Sequence, residues 1–303
     1  MQSLTHILEN DKKVLVEAAV VERLRRSSDV ELHHDLANAP LIYDEKGKKA
    51  LKSLYQEYID IARASNLPIL LCTPTWRANR SRVKTSGTSE AINKDATSFM
   101  QELREAQHSH KNRILIGGLI GCKHDCYRPE EGLSVSEAQQ FHSWQIKQLA
   151  NANVDYLIAQ TIPNVDEALG IAKAMDAAGI PYIISFVISR DGLILNGTSL
   201  PDAINYIDKN TRTKPAGYMV NCAHPTFLCP EKQPAELFER LIGYQANASS
   251  LDHCDLDGAN QLETDSVTEW GRLMLELNSK YGMKILGGCC GTTGDHLRYI
   301  ASE

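Results

Sequence analysis

Residues 182–188 read Tyr-Ile-Ile-Ser-Phe-Val-Ile, and residues 114–119 read Ile-Leu-Ile-Gly-Gly-Leu. Both runs are almost continuously apolar instead of alternating between apolar and polar residues, which is typical of parallel strands buried on both faces. Similar short runs recur along the chain and predict eight strands: Val14–Val20, Pro68–Cys72, Arg113–Leu119, Val154–Gln160, Ile180–Ile188, Ala216–Cys222, Ile242–Ala246 and Met283–Gly287.

Helical patterns separate these strands. Ser134 and Glu137 form a capping box, which predicts a helix that runs to about Asn151. A second helix is predicted to end at Gly179, and a third follows Asp265. Strand–helix units repeated in this way predict an α/β protein, a (β/α)₈ TIM barrel that forms a single domain over residues 1–303. An open doubly wound sheet is the rival fold, but no Gly-x-Gly-x-x-Gly motif follows the first strand.

Two polar stretches, Asp29–Lys49 and Asn247–Glu263, are predicted to be long loops beside the barrel. Active sites of such barrels lie at the carboxyl ends of the strands, so loops at that end often shape the substrate pocket. Within the second loop, Asp252–Asp255 reads Asp-His-Cys-Asp. We interpret it as a polar loop segment, with a role in lining the pocket as the alternative.

The composition limits the partners that this chain can have. Hydrophobic residues make up 43% of the 303 residues and charged residues 23%, which is enough for an ordinary core. A formal net charge of -6 disfavours a nucleic-acid partner, because phosphate binding needs a basic surface. No apolar run reaches the roughly 18 residues of a membrane span, and the first residues do not resemble a secretory signal. We therefore expect a cytoplasmic protein with no membrane partner, and both a monomer and a homo-oligomer stay open.

Three of the eight cysteines follow strand ends. Cys222 closes the sixth predicted strand, and Cys289 and Cys290 follow the eighth within a glycine-rich run. The carboxyl ends of barrel strands meet at one mouth, so these sulfurs are predicted to converge there. Three thiolates suit Zn²⁺, which keeps an open fourth position in catalytic sites and deprotonates a coordinating thiol. This favours alkyl transfer to a substrate thiol. The alternative is that Cys289 and Cys290 are merely small buried apolar residues.

Several segments resemble the homocysteine S-methyltransferase family. GGCCGTTGDHLRYIA at residues 287–301 is similar to its C-terminal zinc motif, and MVNC at 219–222 to its first zinc-cysteine segment. Residues 71–83, 116–150 and 159–168 resemble further segments of the family. The resemblance implies a zinc-containing barrel that moves a methyl group from an onium-type or folate donor to homocysteine, giving methionine. It also implies that Cys222, Cys289 and Cys290 are the metal ligands and the catalytic residues.

The chain departs from the family pattern on the acceptor side of the pocket. The family usually has an Asp-Gly-Gly turn after the first strand, where this chain has Glu17, Ala18 and Ala19. It usually has Glu before Thr-Ile-Pro, where this chain has Gln160. We expect Glu17 and Gln160 to bind the acceptor, which is homocysteine in an altered pose or another thiol. A non-catalytic barrel that binds zinc and a small ligand is a further alternative.

The chain has no additional segment for a folate or cobalamin domain. We therefore expect a small onium-type donor: S-methylmethionine, S-adenosylmethionine or a betaine. In the loop after the second strand, Thr73, Asn79 and Trp76 are candidate substrate-binding residues. Trp76 and Tyr127 could face a methylated cation, although ordinary packing explains Trp76 equally well.

Two further polar clusters are open to more than one interpretation. The segment with Cys122, His124 and Cys126 follows the third strand, and it either binds a second metal, replaces one zinc ligand or holds ordinary loop thiols. His224 either orients the cysteine site or is exposed in a loop. A zinc hydrolase is disfavoured, because such sites normally use histidine and carboxylate ligands.

Overall fold

Eight parallel strands close into a barrel in chain order, with the last strand paired to the first. The structure, a computed structural model, describes residues 2–252 and 264–302. All eight predicted strands are present, so the predicted (β/α)₈ barrel is confirmed. The strands are β1 Val14–Val16, β2 Ile69–Cys72, β3 Ile114–Ile120, β4 Tyr156–Ile162, β5 Tyr182–Phe186, β6 Gly217–Asn221, β7 Leu241–Ala246 and β8 Ile285–Gly288.

The first strand is shorter than predicted. It ends at Val16 instead of Val20. The Glu17 N–H still donates to the Leu70 carbonyl, but the Ala19 N–H donates to the Thr292 hydroxyl and not to a neighbouring strand. Residues 17–20 therefore form a loop at the mouth of the barrel.

Helices surround the barrel. Ten α-helices lie in the described part of the chain: α1 Leu4–Asn10, α2 Val21–Arg26, α3 Glu45–Ala64, α4 Arg80–Ser86, α5 Ile92–Glu105, α6 Val135–Asn151, α7 Val165–Ala178, α8 Leu200–Asn210, α9 Val267–Tyr281 and α10 Gly294–Ser302. The capping box at Ser134 and the helix end at Gly179 are as predicted. Helix α9 is capped by Ser266, one residue after the predicted Asp265.

The barrel departs from eight regular strand–helix units between β6 and β7. This connection holds three short 3₁₀ turns: Pro225–Leu228, Pro230–Lys232 and Ala235–Glu239. A proline begins or immediately precedes each turn. Because proline has no N–H and disfavours the helical conformation in the residue before it, this spacing prevents a regular helix from forming.

The predicted loop at Asp29–Lys49 also contains regular structure. The side chain of Asp44 accepts a hydrogen bond from Gly47 N at 2.7 Å and so caps α3, which begins at Glu45. A 3₁₀ turn at Ala39–Tyr43 precedes this cap. Residues 29–38 remain irregular and reach the mouth of the barrel.

Helix α1 closes the barrel at the amino-terminal ends of the strands. Leu4 and Ile7 of α1 are buried and pack with inward residues of the strands, such as Leu70 and Ile158. A larger apolar cluster fills the layer between the strands and the outer helices. No helix in residues 2–252 and 264–302 has the length and apolar composition needed to cross a bilayer. The end of the barrel formed by the carboxyl ends of the strands is open to solvent.

Candidate active site

A cavity of about 1210 Å³ opens at the carboxyl ends of the strands. This is the end at which barrel enzymes place their active sites. Its wall contains residues that follow or end β1, β2, β4, β6, β7 and β8, together with the irregular segment 27–38. Among the lining residues are most of those that the sequence singles out: Glu17, Thr73, Trp76, Tyr127, Gln160, Cys222, Cys289 and Cys290.

The sulfur atoms of Cys222, Cys289 and Cys290 lie within 4.8 Å of one another. The Sγ atoms of Cys222 and Cys289 are 2.7 Å apart. Among residues 2–252 and 264–302 this is the one cluster of three potential metal-ligating side chains. The structure therefore brings Cys222 together with Cys289, which lies 67 residues later in the sequence, and with its neighbour Cys290.

Backbone geometry aims these cysteines at the cavity. Cys222 has φ 54, in the left-handed region that non-glycine residues rarely adopt. Its N–H donates to the Gln245 carbonyl at 3.3 Å, and the N–H of Cys289 donates to the Ala246 carbonyl at 2.7 Å. Strained conformations of this kind persist where the surrounding structure holds them, and they cluster at functional sites.

The glycines before Cys289 are required by close packing. A Cβ added at Gly287 would lie 2.3 Å from the Val16 carbonyl oxygen, and one added at Gly288 would lie 2.1 Å from Thr292 Oγ1. The Thr292 hydroxyl donates to the Cys289 carbonyl at 2.6 Å and accepts the Ala19 N–H at 3.1 Å. Thr292 thus ties the cysteine turn to the loop after β1, a role that the sequence analysis missed.

The three thiols differ in acidity because they hydrogen-bond to one another. Hydrogen bonds from Cys222 and Cys289 lower the pKa of Cys290 well below its ordinary value. Donation to Cys289 and Cys290 raises the pKa of Cys222. Cys290 is therefore the most acidic of the three thiols.

Glu17 lies at the inner end of the cavity. Its Oε2 accepts the N–H of Cys72 at 2.7 Å, and the residue is 4% exposed. Burial raises the pKa of this carboxyl to about 8. Glu17 is therefore largely protonated at neutral pH, because an apolar environment disfavours the charged form.

An amide pair lies beside Glu17. Gln160 Nε2 donates to Gln245 Oε1 at 2.7 Å, and Gln245 Nε2 donates to the Glu17 carbonyl at 3.1 Å. Both glutamines are buried. Gln245 was not predicted from the sequence, although a polar residue inside the otherwise apolar β7 was a usable signal. This wall therefore presents hydrogen-bonding amide groups without a fixed charge.

A second polar anchor lies between β4 and β6. Asn221 Oδ1 accepts the Thr161 N–H at 2.9 Å and the Ser185 hydroxyl at 2.7 Å. Thr161 has φ 60 at a register shift between β4 and β5. These contacts fix the end of β4, which holds Gln160. They also fix Asn221, the residue immediately before Cys222.

The loop after β2 contributes unequally to the cavity. Thr73 lines it, and its hydroxyl accepts the Leu119 N–H at 3.1 Å. Asn79 does not line it: its side chain accepts the Arg82 N–H at 3.1 Å and caps α4. The structure therefore gives Asn79 a helix-capping role outside the lining of the cavity, whereas Thr73 belongs to that lining.

The aromatic residues Trp76 and Tyr127 also line the cavity. The guanidinium of Arg77 stacks on the Trp76 ring, with its central carbon 4.1 Å from the ring centroid. One cation thus already lies against Trp76. Burial raises the pKa of the Tyr127 hydroxyl, and the negative charge of the nearby cysteine sulfurs adds to this effect. Tyr127 therefore borders the cysteine cluster.

The segment after β3 forms no metal cluster in the described part of the chain. Cys126 and His124 line the cavity, whereas Cys122 is buried outside it and donates to the His124 carbonyl at 3.4 Å. Burial raises the pKa of Cys122 to about 12. These cysteines therefore have the environment of protonated, inert thiols.

His224 is buried, so an exposed position is wrong. Its Nε2 lies 3.1 Å from Asp265 Oδ2, and its Nδ1 lies 2.8 Å from Thr226 Oγ1. These contacts hold the chain just after Cys222.

Of the polar segment Asp252–Asp255, residues 253–255 lie outside the described residues.

Comparison with known proteins gives a consistent result. A relative from Bacillus subtilis (strain 168), the homocysteine S-methyltransferase YbgG, is 23% identical over 326 residues, which cover 100% of this chain and 98% of the relative. Homocysteine S-methyltransferase 1 of Brassica oleracea var. italica is 22% identical, with 91% of this chain and 90% of the relative covered.

The fold has a close counterpart among solved structures. The metallated form of the homocysteine methyltransferase MmuM from Escherichia coli superposes with a TM-score of 0.75 at 17% identity, covering 97% of each chain. The family model of the homocysteine S-methyltransferases matches residues 14–303. Because that match spans the whole barrel, this chain belongs to the homocysteine S-methyltransferase family and is a methyltransferase of that kind.

Proposed function

We propose that this chain transfers a methyl group from a small onium-type donor to the thiol of homocysteine, giving methionine, with Zn²⁺ held by Cys222, Cys289 and Cys290. The observation that carries the proposal is the convergence of these three sulfurs within 4.8 Å at the cavity wall. S-methylmethionine, S-adenosylmethionine and a betaine are the donors considered.

The donor set fits zinc. A tetrahedral zinc–thiolate site has Zn–S bonds of about 2.3 Å and therefore S–S separations of about 3.8 Å. The 4.8 Å limit of the cluster accommodates that spacing, and the 2.7 Å contact between Cys222 and Cys289 would have to open by about 1 Å. Zinc bound by these residues would supply one effect, the stabilisation of the acceptor sulfur as a thiolate.

The reaction is a substitution at the methyl carbon. The acceptor thiol releases its proton to solvent on binding, and its sulfur lone pair forms the new S–CH₃ bond. The bond from the methyl carbon to the donor's sulfonium or ammonium atom breaks, and its electron pair stays with that atom. The donor leaves as a neutral thioether or amine, so the reaction needs no oxidant or reductant.

Glu17 and Gln160 hold the amino group of the acceptor in this proposal. Glu17 offers Oε1, since Oε2 accepts the Cys72 N–H, and Gln160 offers its carbonyl oxygen, since its amide N–H donates to Gln245. An ammonium group binds best when Glu17 is ionised. Because the pKa of Glu17 is raised to about 8, acceptor binding should strengthen as the pH rises towards 8.

The donor occupies the outer part of the cavity. At about 1210 Å³ the cavity exceeds the 300–1,000 Å³ typical of small-molecule sites, so it has room for both substrates together. Tyr127 borders the cysteine cluster and offers an aromatic face to a methylated cation. Trp76 is a weaker candidate for this contact because Arg77 already stacks on it.

A second candidate function is methyl transfer to a thiol without an ammonium group. The observation that favours it is the uncharged wall of Gln160 and Gln245 beside a protonated Glu17. Desamino-homocysteine, which lacks only the amino group, distinguishes this candidate from the first.

The test is methyl transfer by zinc-loaded protein, followed by mass spectrometry of the methylated thiol. We expect turnover with homocysteine, and loss of both bound zinc and turnover in Cys290→Ser. Cys229→Ser is the matched control, because Cys229 lies outside the cavity. Full turnover of the Cys290→Ser variant without zinc would refute the proposal, and turnover with desamino-homocysteine alone would favour the second candidate.

A further inference from the structure

Three arginines lie in the short helix α2, and they differ in their partners. Arg23 donates to Glu57 Oε2 at 2.9 Å and to the Tyr58 hydroxyl at 3.0 Å. Arg26 donates to Glu22, which lies one turn earlier on the same helix. Arg25 lines the cavity, and among the described residues its guanidinium has neither a carboxylate nor a hydrogen-bond partner.

Arg25 is close to the cysteine cluster. It lines the same cavity as Cys222, Cys289 and Cys290. The positive charge of the guanidinium is near enough to act on the Cys290 sulfur. A free guanidinium there is suited to a carboxylate, which it can bind through two parallel hydrogen bonds.

The two other arginines on this wall and the Ala19 N–H are already engaged. The Ala19 N–H, which could otherwise meet an anion, donates to the Thr292 hydroxyl at 3.1 Å. Two more arginines line the cavity, but their guanidinium groups donate to backbone carbonyls: Arg77 to His124 O at 2.6 Å and Arg82 to Asp35 O at 3.0 Å. In the described part of the wall, Arg25 is thus the arginine left available to a ligand.

We propose that Arg25 binds the carboxylate of the acceptor and so selects thiols that carry a carboxylate on a short chain. The inference rests on the proposed function, because it assumes that the acceptor sulfur lies at the three cysteines. With the sulfur there and the amino group towards Glu17 at the inner end, the remaining carboxylate points to the mouth, where Arg25 lies. Arg25 is then a specificity-determining residue that touches the substrate.

The test is a calorimetric binding titration of the zinc-loaded protein without any donor. The ligands are homocysteine and homocysteamine, which lacks only the carboxylate. We expect the wild-type protein to bind homocysteine about 10-fold or more tightly than homocysteamine, as for a hydrogen bond to a charged group. Arg25→Gln should remove this preference by weakening homocysteine alone.

Arg26→Gln is the matched control, since it removes the same charge from the same exposed helix while its partner Glu22 remains. It should leave both affinities unchanged, and Arg25→Lys should recover part of the preference. Because Arg25 is exposed, its variants should fold normally, which circular dichroism checks.

Equal weakening of both thiols in Arg25→Gln, or no weakening of either, would overturn the proposal. An increase in the donor's KM with no change in homocysteine binding would assign Arg25 to a donor carboxylate and would overturn it as well. The titration needs no methyl transfer. If the carboxylate preference depends on Arg25 but no methyl group moves, the proposed function fails and this inference stands.

Discussion

The raised pKa of Glu17 makes the stability of the barrel depend on pH, and Glu17→Gln should remove that dependence. The carboxyl titrates near 4.5 when solvated and at about 8 in the fold. A group whose pKa is raised by folding stabilises the protein fully below its unfolded pKa, and that contribution is lost as the pH rises through the folded pKa. The full difference corresponds to about 5 kcal/mol.

A measurable part of that contribution falls in an accessible pH range. Between about pH 6 and pH 8 the wild-type protein should lose about 2 kcal/mol in the free energy of unfolding through Glu17 alone. Glutamine has nearly the same shape, still accepts the Cys72 N–H and never ionises, so the variant should lack this component.

The measurement is urea-induced unfolding followed by circular dichroism at a series of pH values, with equal zinc content throughout. The quantity of interest is the difference between wild type and Glu17→Gln, because all other titrating groups are common to both. Glu236→Gln, at an exposed glutamate, is the control and should follow the wild-type curve. Parallel curves for wild type and Glu17→Gln would refute the buried, protonated state of Glu17.

Three further predictions concern the same site. Homocysteine's KM should fall as the pH rises from about 6 to 8, where Glu17 ionises. Steady-state assays of Glu17→Gln should lack this fall, and the same profile in both proteins would contradict the prediction. Gly288→Ala should cost about 1–3 kcal/mol by urea unfolding and weaken zinc retention against a chelator, since its Cβ would lie 2.1 Å from Thr292 Oγ1; unchanged retention would contradict this. By calorimetry, Gln160→Glu should tighten the binding of homocysteine about 10-fold but leave that of desamino-homocysteine unchanged. It should also destabilise the fold by about 1–3 kcal/mol, because Gln245 Oε1 loses its donor. Equal gains in affinity for both thiols would exclude charge as the cause.

The barrel was predictable because its strands are buried on both faces. Runs such as residues 114–119 have few polar interruptions, and closed parallel barrels require that pattern. The prediction was poorest where local chemistry replaces regular pairing. The loop after Val16 bonds to Thr292, and the prolines between β6 and β7 replace a helix by 3₁₀ turns.

The cysteine cluster was also accessible from the sequence, since strand order alone places the ends of β6 and β8 at one mouth. The side chains around it were not. Gln245 and Thr292 act through partners far away in the sequence. No local pattern distinguishes Arg25, which faces the cavity, from Arg23 or Arg26, which pair with carboxylates. The helix-capping role of Asn79 was not anticipated, because a helix cap and a loop ligand look alike in sequence.

The shared ligation of one metal by Cys222, Cys289 and Cys290 is tested most directly by X-ray absorption at the zinc edge, recorded before and after homocysteine is added. We predict three sulfur neighbours at about 2.3 Å in the free protein and a fourth in the presence of the thiol. A first shell of nitrogen and oxygen, or a sulfur count that homocysteine leaves unchanged, would contradict thiol activation at this cluster.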